Sequence, residues 1–236
     1  MSLIRPTRVT AFAAVVGLCA ISLSTAFVLA RYASLPDLLP VHFRRDGLAN
    51  GWQYKTYARV LLPVFVQAAL SLTLGMVGAL LLWRERGAEE HDAPDVRAAA
   101  AAAEGVVLIT AIWIVFQAYV AFALTALWQR GRAGAGASGL GPVYVGLEVL
   151  GVVLTIGVAV RTNIRLGRPA ARPYVAQHWR YGQLYRNPED PALFVPTRHG
   201  SRWTLNFGRP VAAALMGGVL LIGVVGPTII LTLLLR

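Results

Sequence analysis

The chain has 236 residues, of which 56% are hydrophobic and 14% are charged, and its mean hydropathy is +0.58. Water-soluble domains contain about 45–50% apolar and about 25% charged residues, so this composition argues against a soluble enzyme and indicates a membrane protein. The net charge of +11 would also suit a nucleic-acid-binding protein, but basic residues in a membrane protein primarily set its topology, and we expect no nucleic-acid partner.

Five apolar stretches are each long enough to cross the hydrocarbon core as a helix, which takes about 20 residues. They lie at residues 9–30, 60–83, 105–128, 143–160 and 211–235. The first follows Arg5 and Arg8, as a signal peptide would, but it is longer than the roughly 7–15 residues of a signal h-region, which favours a retained span. We therefore expect an all-α membrane protein with a five-helix bundle, no enzymatic activity, no cofactor and no bound metal.

The distribution of basic residues predicts the orientation. With the N-terminus in the cytoplasm, the inside segments hold fourteen Lys and Arg residues and the outside segments hold eight. Because cytoplasmic loops carry the excess of basic residues, we expect a multi-pass protein of the cell inner (plasma) membrane with its N-terminus inside and its C-terminus outside. The basic inner segments would then face anionic lipids.

Three consecutive parts are predicted along the chain. Residues 1–83 form a two-span unit with a long outer loop at 31–59. Residues 84–160 hold two central spans, a helical extension that begins near Pro94 and a Gly-rich linker at 129–142. Residues 161–236 combine an inner-surface module at 179–210 with the last span. The proline and the alanine run that follows it favour a helix, because proline suits the first helical turn and alanine has the highest helix propensity.

The outer loop contains His42 with Asp37 and Asp46, a set of side chains that could ligate a divalent metal. The alternative is a flexible loop in which Asp46-Gly47 and Asn50-Gly51 form simple turns. We favour the second interpretation because the spacing matches no known metal pattern.

The module at 179–210 mixes aromatic residues and arginines, a composition that suits the headgroup layer of a membrane. Residues 193–197 and 202–207 flank Gly200 and predict a short β-hairpin. We expect this module to contact lipid or a cytoplasmic partner through the following residues: Trp179, Tyr185, Asn187, Pro188, Asp190, Pro191, Arg198, Trp203 and Asn206.

Glu148 is an ionisable residue inside a predicted span, where an acid is costly and therefore a candidate for function. Gln67 and Gln117 lie in neighbouring spans and would form a polar cluster with it. The alternative is that Glu148 reaches the outer interface.

Residues 34–56 resemble the N-terminal domain of SdpI-type immunity proteins, a bacterial membrane domain of unknown function. The resemblance rests on a Leu-Pro element and on the residues that follow it: Pro40, His42, Phe43, Gly47, Asn50, Gly51, Trp52 and Lys55. Asn50 stands where an Asp is common in that pattern. The resemblance implies that these residues form an outer recognition surface.

Residues 179–210 are similar to a second uncharacterised module that often occurs downstream in such proteins. The similarity lies in Tyr-x-Asn-Pro-Glu-Asp-Pro at 185–191, Phe-Val-Pro at 194–196 and Gly-x-x-Trp-Thr-Leu-Asn-Phe at 200–207. SdpI-type proteins protect a cell from a secreted toxic peptide, so the resemblance implies peptide-toxin immunity or envelope-stress sensing, with a membrane or extracellular peptide as partner. Two alternatives stay open: an accessory subunit of a larger membrane complex, and a small proton- or ion-linked transporter that uses Glu148.

Overall fold

The structure is a computed structural model, and it describes residues 2–43, 49–84, 94–130, 140–169 and 172–220. Four long helices dominate these residues: α1 Arg8–Tyr32, α3 Leu62–Leu82, α4 Pro94–Gln129 and α5 Leu140–Leu166. Each is long and apolar enough to cross a membrane, which confirms four of the predicted spans. The chain is therefore a multi-pass membrane protein.

The fifth predicted span begins in the described part of the chain and continues beyond it. Helix α6, Pro210–Leu220, covers its first turns, and residues 221–235 lie outside the described residues. The structure thus supports four spanning helices, and the count of five stays a prediction.

Two helix boundaries bear on the candidate sites. Helix α4 begins at Pro94, as predicted from the proline and the alanine run that follows it. Helix α5 extends to Leu166, six residues past the predicted end of that span at Val160, so Arg161 and Arg165 lie on a helix instead of in a loop. Most of the Gly-rich linker predicted before α5, residues 131–139, is outside the described residues.

The remaining elements are short. The one-turn helix α2, Tyr57–Val60, precedes α3, and a 3₁₀ turn covers Ala176–His178. Within the described ranges, eight strands form four antiparallel pairs: β1 Ser2–Leu3 with β4 Trp83–Arg84, β2 Leu38–Phe43 with β3 Ala49–Tyr54, β5 Trp179–Arg180 with β6 Leu184–Tyr185, and β7 Phe194–Pro196 with β8 Trp203–Leu205. The last pair is the hairpin predicted around Gly200, whose φ of 66° suits a turn.

The chain divides into two compact units, and the long helices contribute residues to both. The first unit comprises residues 1–11, 73–107 and 159–236, and its core holds four buried residues: Val77, Leu81, Ala103 and Leu215. Leu193, Phe194 and Leu205 pack against this core, so the C-terminal module (residues 179–210) is anchored to helices of its own unit.

The second unit comprises residues 12–72 and 108–158. Its core brings together six buried residues: Val28, Leu35, Leu39, Val60, Ala121 and Trp128. These come from α1, the segment after it, β2, α2 and α4. The β2–β3 pair, called the first hairpin below, is therefore fixed to helices through its own strand residue Leu39.

Candidate functional site

The first hairpin occupies most of the predicted outer loop. Its register pairs Leu38 with Tyr54 and Pro40 with Trp52, and a bulge after Pro40 shifts the pairing that follows. The prediction of a turn at Asn50-Gly51 is wrong, because both residues lie within β3. Close strand contact gives Gly51 its role, since a Cβ added there would lie 2.9 Å from the Cβ of His42.

The base of the first hairpin is held by Lys55. Its ammonium donates a 2.8 Å hydrogen bond to the Leu35 carbonyl, lies 3.5 Å from the Asp37 carboxylate and stands 5.2 Å from the centre of the Tyr32 ring. The Tyr32 and Tyr57 rings stack in parallel at 4.0 Å. Lys55 was predicted to take part in recognition, but its side chain is only 15% exposed and is committed to contacts within the protein.

Strand β2 is the inner strand of the first hairpin. Leu39 is fully buried, and the Trp128 indole N–H of α4 donates a 3.0 Å hydrogen bond to the Pro40 carbonyl. This contact fixes the strand at a position where proline provides no N–H for pairing.

Strand β3 is the outer strand and carries the exposed part of the predicted recognition surface. Trp52 is 49% exposed and Tyr54 is 74% exposed, Asn50 on the same strand is also exposed, and so is His42 on β2. Large apolar and aromatic side chains that stay accessible on a rigid support are typical of binding surfaces. Of the remaining predicted residues, Gly47 and the Phe43 side chain lie outside the described residues.

The C-terminal module is organised around Asn206, which is fully buried. Its amide nitrogen donates to the carbonyls of Asn187, Asp190 and Ala192 at 2.8, 3.0 and 3.3 Å. Its amide oxygen accepts from the backbone N–H groups of Asn187 and Gly208 at 3.0 and 2.9 Å. The sequence predicts that this side chain contacts lipid or a cytoplasmic partner, but all of its hydrogen-bonding groups serve the module itself.

The Asn-Pro-Glu-Asp-Pro turn in this module is held by two of its polar side chains. Asn187 Oδ1 accepts from the Glu189 N–H at 3.0 Å, and Asp190 Oδ1 accepts from the Ala192 N–H at 2.9 Å. The other oxygen of Asp190 accepts from the Tyr185 hydroxyl at 3.1 Å and from the Arg172 guanidinium at 2.8 Å. Burial raises the pKa of the Tyr185 phenol, and the adjacent Asp190 carboxylate raises it further.

Trp203 attaches the hairpin of this module to the end of α5. Its indole N–H donates to the Leu166 and Gly167 carbonyls at 2.9 and 3.1 Å, and these are carbonyls at a helix terminus that have no partner within the helix. Pro188 and Pro191 are both exposed in the neighbouring turn. Trp203 therefore has a positioning role.

A cleft of about 240 Å³ opens between aromatic residues of the C-terminal module and of the segment directly before it. It brings together Trp179, Tyr185 and Arg198, three of the predicted residues, with Tyr174 and His178. The Trp179 and Tyr185 rings meet edge to face at 5.3 Å, and the Arg198 guanidinium lies 4.9 Å from the centre of the Tyr174 ring. The cleft is the part of the module that could receive a small group or a partner side chain.

Two family models match the chain, and their positions coincide with the two regions described above. A domain of unknown function (DUF1648) matches residues 18–66, and a family of unknown function (DUF5808) matches residues 188–212. The first match contains the whole first hairpin. The second contains Asn206 and the β7–β8 pair. No curated protein and no solved structure matches the chain.

The predicted intramembrane residues do not come together around Glu148. Gln67 is fully buried, and its amide accepts from the Ser24 hydroxyl at 2.9 Å and donates to the Ile114 carbonyl at 3.0 Å. Gln117 is partly buried on α4, and Glu148 is exposed on α5. The Gln67 hydrogen bonds therefore join three helices of the second unit, and Glu148 points to the outside of the described chain.

A buried acid that the sequence analysis missed lies in the first unit. The Glu104 side chain is 1% exposed and accepts hydrogen bonds from the Thr7 hydroxyl and from the guanidinium groups of Arg161 and Arg165. Thr7 also accepts from the Thr10 N–H at 3.1 Å and so caps α1. The signal in the sequence is the spacing of four between the two arginines, which places them on one face of a helix.

Proposed function

We propose that this chain is a non-enzymatic, SdpI-like membrane protein that recognises an envelope-active peptide through its first hairpin and thereby provides immunity or senses envelope stress. The observation that carries the proposal is the first hairpin itself, which presents exposed Trp52 and Tyr54 on a base fixed by Lys55, Leu39 and Trp128. Aromatic anchors on a rigid support favour binding because little conformational entropy is lost when they are covered.

The proposed orientation places the first hairpin outside the cytoplasmic membrane and the C-terminal module inside. The basic residues of the predicted inner segments support it. A peptide that attacks the envelope from outside would then meet the first hairpin before it reaches the bilayer. The cleft around Trp179 and Arg198 would meet anionic lipid or a cytoplasmic partner.

A deletion strain tests this proposal. Cells that lack the protein should become more sensitive to membrane-active peptides, and the wild-type gene should restore resistance. A Trp52→Ala/Tyr54→Ala double variant should fail to restore it. Tyr181→Ala is the matched control, because Tyr181 is an exposed aromatic residue in the C-terminal module. All variants must reach equal levels in the membrane, and unchanged sensitivity of the deletion strain would refute the proposal.

A second candidate function is that of an accessory subunit in a larger membrane complex, and the exposure of α5 favours it. Only 6% of the most apolar stretch of α5 is buried, and the exposed Glu148 lies on this helix. A Cβ added at Gly146 or Gly157 would meet no atom within 4 Å, so both glycines face open space. Small residues allow close helix contact in lipid, and an acid within a membrane span is stabilised by a polar partner. Purification from native membrane should then yield a stoichiometric partner, whereas a lone chain would exclude this function.

A further inference from the structure

In the part of the chain that the structure describes, the outer edge of β3 has unused backbone hydrogen-bonding groups, and the strand register identifies them. The Lys55 N–H donates to the Asp37 carbonyl at 2.7 Å, so these two residues form a hydrogen-bonded pair. Hydrogen-bonded and non-hydrogen-bonded pairs alternate along antiparallel strands. Leu38 with Tyr54, and Pro40 with Trp52, are therefore non-hydrogen-bonded pairs, whose backbone groups point away from the hairpin.

Two side-chain contacts agree with this assignment. The Pro40 carbonyl accepts from the Trp128 indole, and the Tyr54 carbonyl accepts from the Arg59 guanidinium. Both carbonyls must point outward to be reached by these donors. The contacts thus confirm independently which backbone groups face the two edges.

The two edges differ in what they can bind. The β2 edge is closed, because Pro40 has no N–H and its carbonyl is already bonded to Trp128. On the β3 edge, the N–H and carbonyl of Trp52 and the N–H of Tyr54 have no hydrogen-bond partner among the described residues. An open edge of this kind pairs readily with another extended chain.

The side chains beside this open edge supply an apolar contact surface. Trp52 and Tyr54 are two residues apart and so project from one face of the hairpin, together with Leu38 and Pro40 on the neighbouring strand. Leu38, Trp52 and Tyr54 are exposed. A strand added to β3 would place alternate side chains beside the two aromatic rings.

We propose that an extended segment of a foreign peptide adds to β3 as a third strand, bonded to the backbone of Trp52 and Tyr54. This rests on the proposed function and specifies how its peptide would be bound. Residues 31–59 contain five basic and two acidic side chains, a net charge of +3, so an acidic peptide is favoured. A second copy of this chain would bring the same positive charge to the edge and would be repelled.

Hydrogen exchange on the purified full-length protein in lipid nanodiscs tests this docking mode. The probe is a capped peptide of about eight residues in which valine and glutamate alternate, since strands are commonly five or six residues long. Its control has the same sequence with every backbone nitrogen methylated, which keeps the charge and removes the donors on both edges. The probe should slow exchange of the Trp52 and Tyr54 amides by about tenfold at saturation, and the control should not.

Two variants separate the backbone from the side chain. Trp52→Ala keeps the edge N–H, so the probe should still protect the Tyr54 amide, although more weakly. Trp52→Pro removes that N–H and should abolish protection. Proline is tolerated there because the N–H of residue 52 takes no part in the hairpin ladder.

Four results would overturn the proposal. The first is that the Trp52 and Tyr54 amides show no protection at millimolar probe, and the second is that the methylated control protects them equally. The third is protection of these amides without probe that rises with protein concentration. The fourth is protection without probe that is present in nanodiscs and absent in detergent. The third would indicate a second copy and the fourth a lipid headgroup layer. If the deletion strain is sensitised but the edge is not protected, only the docking mode fails. If the edge is protected but the deletion strain is unaffected, the proposed function fails instead.

Discussion

Replacing Asn206 by alanine should unfold the C-terminal module locally while the long helices stay intact. The side chain is fully buried and makes five hydrogen bonds, all to backbone groups. One such bond contributes about 1 kcal/mol net, and a buried group left without a partner costs about 1–3 kcal/mol. Some of the five backbone groups would regain water, so we expect a loss of about 3–5 kcal/mol.

Hydrogen exchange can measure this loss at two amides whose own bonds do not involve the Asn206 side chain. The Asn206 N–H donates to the Leu193 carbonyl and the Phe207 N–H donates to the Tyr185 carbonyl, both at 2.9 Å. If the module opens more readily by about 3–5 kcal/mol, both amides should exchange about two to four orders of magnitude faster, since 1.4 kcal/mol is a factor of ten. Asn187→Ala is the matched control, because that side chain makes none of the five hydrogen bonds of the Asn206 side chain and accepts from an exposed turn N–H.

Asn206→Asp tests whether hydrogen-bond direction or volume matters. A carboxylate has the size of the amide and keeps an acceptor oxygen. It replaces the NH₂ group, which donates to three carbonyl oxygens, by a negatively charged oxygen that faces them. The folded-state pKa of the new acid should be raised, so stability should be greater at low pH and lost as the pH rises through that pKa. This account of Asn206 would be refuted if the two amides of the alanine variant exchanged within tenfold of the wild-type rate. It would also be refuted if the stability of the aspartate variant did not depend on pH.

Three further predictions concern the helices and the first hairpin. Glu104→Gln should lower the free energy of unfolding in detergent by about 1–3 kcal/mol, because the two arginines that it pairs with are only half exposed. Glu148→Gln is the control and should change the melting temperature little. Equal effects of the two substitutions would contradict the assignment of a buried cluster around Glu104. Gly105→Ala should cost about 1–3 kcal/mol, since its Cβ would lie 2.3 Å from the Thr162 hydroxyl, and Thr162→Ala should partly rescue it in a thermal melt. Lys55→Met should loosen the first hairpin by about 1–3 kcal/mol, seen as faster exchange of its own amide, and an unaffected rate would show that the ammonium contacts do not hold the base.

The start of α4 and the hairpin around Gly200 could be predicted because their signals are local. Proline at the first turn and an alanine run specify a helix whatever surrounds them. A glycine between two runs of strand-forming residues specifies a turn for the same reason. The first hairpin could not be predicted in this way. Asn50-Gly51 is a strong turn signal, and only the tertiary structure places it within β3, where Gly51 pairs closely with His42.

The roles of the candidate residues depended still more on the tertiary structure. Lys55, Trp203 and Asn206 belong to recognisable patterns, and a pattern cannot tell whether a polar group faces a ligand or the protein's own backbone. Glu104 lacked a local signal of burial, since its partners Arg161 and Arg165 lie more than fifty residues away along the chain.

The sequence by itself determined that this is a membrane protein with helices that can cross the bilayer. Hydrophobic length is a property of a continuous segment, and a helix satisfies its backbone hydrogen bonds within that segment. The tertiary structure alone decided which polar groups are free. It engages the amide of Gln67 and buries Glu104, and among the described residues it leaves the backbone of Trp52 open at the edge of β3. Whether a hydrogen-bonding group is available depends on neighbours brought together by folding, and those neighbours are distant in the chain.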